Sequence, residues 1–347
     1  MKELCAPATL SLIHMRYVPF GTELEGVPNV IVDGVGNDAT VLALSHWPGA
    51  PTPVELKADT SAEIVLNYLQ SPDADSLRGG AEAVSNNHFD IDGLMALWAM
   101  LNPEDAVTEA DKLVAIAACG DFERWTGEAA AKAVCALHGL ERLESSPLHG
   151  GLAGISDQHA LTAYLYAGML PFVQTLLDDL DSLEEFWRDE YARVEAGRQL
   201  FERGGAGMKE MAELDMAVFT LPEDVHPIAL NERTQCSRVV LLIEEFRYLV
   251  RYRYESWVEY QSRDIPPRID LGPFADLLQT FEGNPGYWEA DDVASIVPVL
   301  RFRNEEDDNA PSSITSGLFV NFLAQYLGDN AENESLLWSP ALAKLET

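Results

Sequence analysis

Positive charge is what this chain has least of. Lysine and arginine together number 23 against 57 aspartates and glutamates, a formal net charge of −34, and six of the 23 are lysines. A surface of that sign repels duplex nucleic acid and anionic membranes, so neither is expected as a partner. Cysteine is scarce as well. Cys5, Cys119, Cys135 and Cys236 are scattered with no C-x-x-C pair, which argues against a zinc ribbon or a disulfide framework and fits a reducing compartment. Glu3 stands where a signal peptide wants basic charge, and no apolar stretch follows it. The longest apolar run, residues 94–101, falls far short of the roughly 20 residues of a membrane helix. The expectation is a cytoplasmic protein.

Apolar material is not lacking: hydrophobic residues are 47% of 347, enough for one large domain or two ordinary ones. Residues 9–17, 29–32 and 40–47 read as strands, with Asp33-Gly34-Val35-Gly36-Asn37-Asp38 between the last two predicting a hairpin turn. Helix 61–69, strand 81–87 and helix 93–101 follow, the last apolar nearly all round and therefore buried. Helices at 108–119 and 127–139 and two long ones reaching about residue 203 come next. Beyond Gly204-Gly205-Ala206-Gly207 the pattern returns to strands at 215–221, 238–243, 248–260 and 296–303, with helices at 270–280 and 314–327. The alternation predicts an α/β protein: a largely parallel sheet flanked by helices over residues 1–205, and a smaller C-terminal α/β domain over 206–347.

The sharpest chemical feature is His88-Phe89-Asp90-Ile91-Asp92-Gly93. In an extended segment His88, Asp90 and Asp92 leave on one side, spaced by roughly 7 Å at the backbone, close enough to converge on one cation or a pair. Imidazole with carboxylate suits Mn²⁺, Mg²⁺ or Zn²⁺ better than a thiolate-seeking metal. An EF-hand is excluded: counting from His88 or from Asp90 puts Ala99 or Leu101 where a bidentate glutamate is required. The competing reading is a turn in which Asp90 and Asp92 cap the helix that follows.

This segment resembles the first motif of the DHH phosphoesterases, in a chain that otherwise looks like an uncharacterised bacterial family. The resemblance implies a parallel-sheet domain binding two Mn²⁺ ions and hydrolysing a small phosphorylated or nucleotide substrate. It also implies further metal ligands, in order a lone aspartate, an Asp-His-His triplet and another aspartate. Here Asp121, then Asp157 and His159 in Asp157-Gln158-His159, then Asp215 stand in that order. The triplet departs from the family pattern at Gln158, and no Gly-Gly-His segment follows. Asp215 opens an apolar strand, where a structural role is the simpler reading.

Two constellations stand outside the motif. His46, at the end of a strand, offers a fourth ligand or an acid–base group, against the commoner packed histidine. Arg251 and Arg253 alternate along a predicted strand and offer a clamp for a substrate phosphate, against simple cross-strand ion pairs. The expected activity is therefore metal-dependent phosphoester hydrolysis. The alternative is a non-enzymatic metal- or ligand-binding protein that retains the motif. A homo-oligomer is compatible with either.

Overall fold

Runs of valine, isoleucine and leucine too short for helices make the first sheet. Strands β1 (Arg16–Tyr17), β2 (Asn29–Val32), β3 (Thr40–Leu44) and β4 (Ala83–Ser85) lie in the order β1-β4-β2-β3, every pair parallel. β2 and β4 are buried at every residue, as strands covered on both faces are. The computed structural model describes residues 15–244 and 246–342, so residues 9–14 of the first predicted strand lie outside the described residues.

The predicted hairpin at 33–38 is not one. β2 and β3 run parallel, with Asn29 opposite Thr40 and Val32 opposite Leu44, so the loop returns the chain to the start of the sheet. That return needs a sharp exit from β2, which Asp33 makes in the left-handed region at φ 48°. The loop is then tied down. The Asn29 side chain donates to Asn37 Oδ1 at 3.1 Å, and the Thr40 hydroxyl donates to Asn29 Oδ1 at 2.9 Å.

Helices complete this half. They are α1 (Ser61–Leu69), α2 (Ala74–Leu77), α3 (Ile91–Leu101), α4 (Pro103–Thr108), α5 (Ala110–Asp121), α6 (Glu128–Arg142), α7 (His149–Leu152), α8 (Gln158–Asp178) and α9 (Glu184–Glu202). Every residue of α3 but Leu101 is buried, as its sequence requires. α8 is long and apolar enough to cross a membrane by length and composition, but it lays Leu165, Tyr166, Met169, Val173, Leu176 and Leu177 into the protein interior.

The chain falls into two units. The first runs to Asp121 and from Trp125 to Tyr191; the second takes Phe122–Arg124 and everything from Ala192. The division thus falls inside α9, and the glycine run at 204–207 marks the end of that helix rather than the change of unit. The second unit is built on a six-stranded sheet of β5 (Gly207–Met211), β6 (Met216–Leu221), β7 (Arg238–Ile243), β8 (Arg247–Tyr252), β10 (Tyr287–Ala290) and β11 (Val299–Arg303). β6 and β7 pair parallel and the other neighbours antiparallel. One face packs on α11 (Gly272–Gln279) and α12 (Ser316–Asp329) through Phe274, Leu278, Phe319 and Leu323; the other packs on α10 (Pro227–Asn231) and the end of α9. A short pair, β9 (Arg268–Ile269) with β12 (Leu337–Trp338), closes the unit. Both units are α/β.

Candidate metal centre

Three parallel strands end on one spot. Asp33 follows β2, His46 follows β3, and His88, Asp90 and Asp92 follow β4. Open α/β sheets place ligands in this position, beyond the carboxyl ends of adjacent strands whose connections leave in opposite directions. Asp121 joins them from the last turn of α5.

The side chains form two sets that share Asp33. In Asp33, His46 and Asp92, and again in Asp33, His88 and Asp90, one ligand atom from each residue lies within 4.8 Å of the others. The first set is closed to solvent: His46 Nε2 stands 3.3 Å from Asp33 Oδ1, 3.5 Å from Asp121 Oδ2 and 3.9 Å from Asp92 Oδ2, with Asp33, His46 and Asp92 side chains at 0% exposure. The second is half-open. His88 Nε2 lies 2.7 Å from Asp90 Oδ2 and 3.5 Å from Asp33 Oδ2, with 23% and 30% exposure for His88 and Asp90.

Each group is fixed from behind. His46 Nδ1 faces the Asp59 carbonyl at 2.7 Å, so that nitrogen carries a proton and Nε2 is turned on the carboxylates. A carbonyl holding the outer nitrogen is the usual support for a metal-ligating histidine. The Ser61 hydroxyl donates to Asp33 Oδ1 at 2.8 Å and accepts from the His46 N–H at 3.2 Å. Asp92 receives the Ser61 and Ala62 N–H groups at 2.6 and 2.7 Å, so it caps α1 although it belongs to α3. Asp90 caps its own helix, accepting from Gly93 N at 2.7 Å. The capping reading therefore holds for Asp90 but not for Asp92, which caps the earlier helix α1 instead of its own, and capping is compatible with ligation because a carboxylate has about four lone-pair sites. Asp33 Oδ2 and His88 Nδ1 are buried with no hydrogen-bond partner among the described residues.

So many acids in one buried place cannot all ionise alone. Burial, then the neighbouring Asp33 carboxylate, push Asp92 up to about 8, and the same two causes raise Asp90. Asp33 goes the other way: burial opposes its charge, but the hydrogen bond from His46 and the charges of His88 and His46 hold it below the ordinary carboxylate range. Burial alone would lower both histidines. Asp33 and Asp92 instead bring His46 up to about 9, and Asp90 with Asp33 brings His88 up to about 9. Protons thus balance the cluster where a cation is absent. An all-oxygen and imidazole donor set of this kind fits Mn²⁺, Mg²⁺ or Zn²⁺.

The other predicted ligands lie elsewhere. Asp157 is exposed and caps α8 by accepting from Ala160 N at 2.8 Å. His159 is exposed, its ring 5.3 Å from that of Phe20. Neither belongs to the two ligand sets found among the described residues. Asp215, in the second unit, accepts from the Ser237 N–H at 3.1 Å. β8 stops at Tyr252 rather than continuing to 260, so Arg251 and Arg253 do not share a strand face. Arg251 reaches Glu123 and Asn231, both at 3.2 Å. Arg253 is 4% exposed, donates to the Thr234 carbonyl at 2.8 Å and pairs with buried Glu255.

Asp33 is the residue sequence reading missed. An aspartate before glycine at a strand end looks like turn chemistry, and only the parallel pairing of β2 with β4 reveals its place.

No curated protein and no solved structure matches this chain. Residues 13–336 match the model of a family of unknown function (DUF6687), and the chain belongs to that family.

Proposed function

We propose that this protein is a metal-dependent hydrolase of a small phosphorylated or nucleotide substrate, with a divalent cation, Mn²⁺ first among candidates, as its cofactor. The observation that carries the reading is the convergence of Asp33, His46, His88, Asp90, Asp92 and Asp121 at the carboxyl edge of one parallel sheet. Asp33, common to both ligand sets, would be a ligand to a cation in either. Such ions lower the pKa of bound water to near neutrality and draw charge from a phosphoryl group. The chain's own part is positional: the Asp59 carbonyl orients His46, Ser61 orients Asp33, and the start of α1 holds Asp92.

A second reading is binding without turnover, favoured by the two N–H groups that already occupy both oxygens of Asp92. Chelator-stripped protein reloaded with Mn²⁺ and offered generic phosphodiesters and phosphomonoesters separates the two. Hydrolysis that needs Mn²⁺, and that Asp33→Asn lowers at least about 100-fold, is the expected result. Stoichiometric Mn²⁺ binding without turnover would leave the binding reading, and no Mn²⁺ binding would sink both.

A further inference from the structure

Beside the ligand cluster stands a hydroxyl group that the ligand sets do not use. Tyr166, on α8, is fully buried. Its oxygen accepts from Asn86 Nδ2 at 2.8 Å. The orientation of that amide is dictated by its other end, where Asn86 Oδ1 accepts from the His88 N–H at 3.2 Å. The phenol must therefore point its own proton away from Asn86, and no acceptor for it exists among the described residues.

The place the Tyr166 oxygen faces is marked by Gly93. A Cβ there would lie 2.4 Å from Asn86 Nδ2, 2.6 Å from the Tyr166 oxygen and 3.0 Å from Asp90 Oδ1. The glycine thus lets a neutral donor come up against the half-open ligand set. A buried donor left unpaired is costly, and one set beside the half-open ligand set is suited to an oxygen-rich ligand.

We infer that Tyr166 donates a hydrogen bond to a non-bridging oxygen of a phosphate-class oxyanion held at the half-open ligand set. The inference rests on the metal-dependent reading above, because Asp33 and Asp90 would repel an oxyanion unless a cation lay between. Binding of the anion must accordingly require the metal.

The test uses the whole chain, Mn²⁺ and inorganic phosphate as probe. Mn²⁺ binding is followed by electron paramagnetic resonance, and phosphate binding by calorimetry with and without Mn²⁺. Tyr166→Phe keeps the ring and removes the donor. It also strips Asn86 of its acceptor, so some loss of stability is expected and decides nothing; the readout is the ratio of affinities. We expect Mn²⁺ binding unchanged and phosphate binding to the Mn²⁺-loaded protein weakened about tenfold, equivalent to about 1.4 kcal/mol. Equal phosphate affinity in wild type and variant would overturn the inference, as would phosphate binding that ignores Mn²⁺ or is absent from the loaded wild type. Each of those results leaves the metal centre standing; failure to bind Mn²⁺ at all overturns the metal-dependent reading and the inference with it. Should Tyr166→Phe not fold, Gly93→Ala, whose Cβ would come 2.6 Å from the Tyr166 oxygen and push that donor aside, carries the same prediction.

Discussion

Asp90 does two jobs that a single substitution can separate. Its Oδ1 caps α3, and its Oδ2 faces His88. Asparagine caps nearly as well as aspartate but is a poor cation ligand. In Asp90→Asn, chelator-stripped protein should melt no lower than stripped wild type, since burial and Asp33 both oppose the lost charge. Wild type should gain stability from Mn²⁺ by RT ln(1 + [L]/Kd), about 2.7 kcal/mol at about 100 times Kd and a shift of several degrees. The variant should lose most of that shift. Melting curves of both proteins with and without Mn²⁺ check this, and an undiminished shift in the variant would remove Asp90 from the site. His88, Asp90 and Asp92 were legible in the sequence as a compact motif, but not on one side of an extended chain: α3 begins at Ile91, so Asp92 turns to the His46 set while His88 and Asp90 share the other. His46 was readable as a candidate from its strand-end position; Asp33 was not, because its meaning comes from strand neighbours that local pattern does not reveal.

Among the elements, α1 carries more of the site than its sequence advertises. It supplies no ligand, yet its first two N–H groups hold Asp92, and the Ser61 hydroxyl holds Asp33. Helix N-termini are suited to this, since their leading N–H groups lack partners within the helix and the dipole favours negative charge. Asp92→Ala should therefore weaken the fold itself, unlike the change at Asp90. Two buried donors lose their acceptor, a loss of about 3 kcal/mol and a fall of about 6–12 °C in Tm without metal. A stripped Asp92→Ala protein melting within about 1 °C of wild type would refute the anchoring role. Here the sequence was half legible. Helix 61–69 and the buried helix after the motif were readable from composition and periodicity. That Asp92 caps a helix about 30 residues earlier in the chain was not, because capping patterns in sequence describe only a helix's own neighbours. The parallel return from β2 to β3 escaped for a related reason: seven residues, 33–39, with two glycines and an asparagine look like a hairpin, and parallel pairs usually need a longer crossover.

Over the whole molecule, charge outweighs any single pair. Several arginines are already committed to acids: Arg198 to Glu232 and Glu195, Arg247 to Asp307 and Glu244, Arg303 to Glu289 and Asp308. Such pairs use up scarce positive charge locally and leave the net −34 spread over the remaining surface. Two effects of salt then compete. Screening weakens each exposed pair, worth about 0–1 kcal/mol, and it also relieves the mutual repulsion of unpaired acids, which acts between many more groups. With 57 acids to 23 bases the second effect is the larger. Stability should therefore rise as KCl goes from about 0.05 to about 0.5 M, while the screening length falls from above about 10 Å to below about 8 Å. The metal site must be kept out of the measurement, because salt also weakens attraction of Mn²⁺ to the protein. Chelator-stripped protein is the right sample, and Asp33→Asn a control expected to follow the same slope. A Tm that climbs by several degrees in both would show that repulsion over the surface dominates; a Tm that falls with added salt would mean that the ion pairs outweigh it.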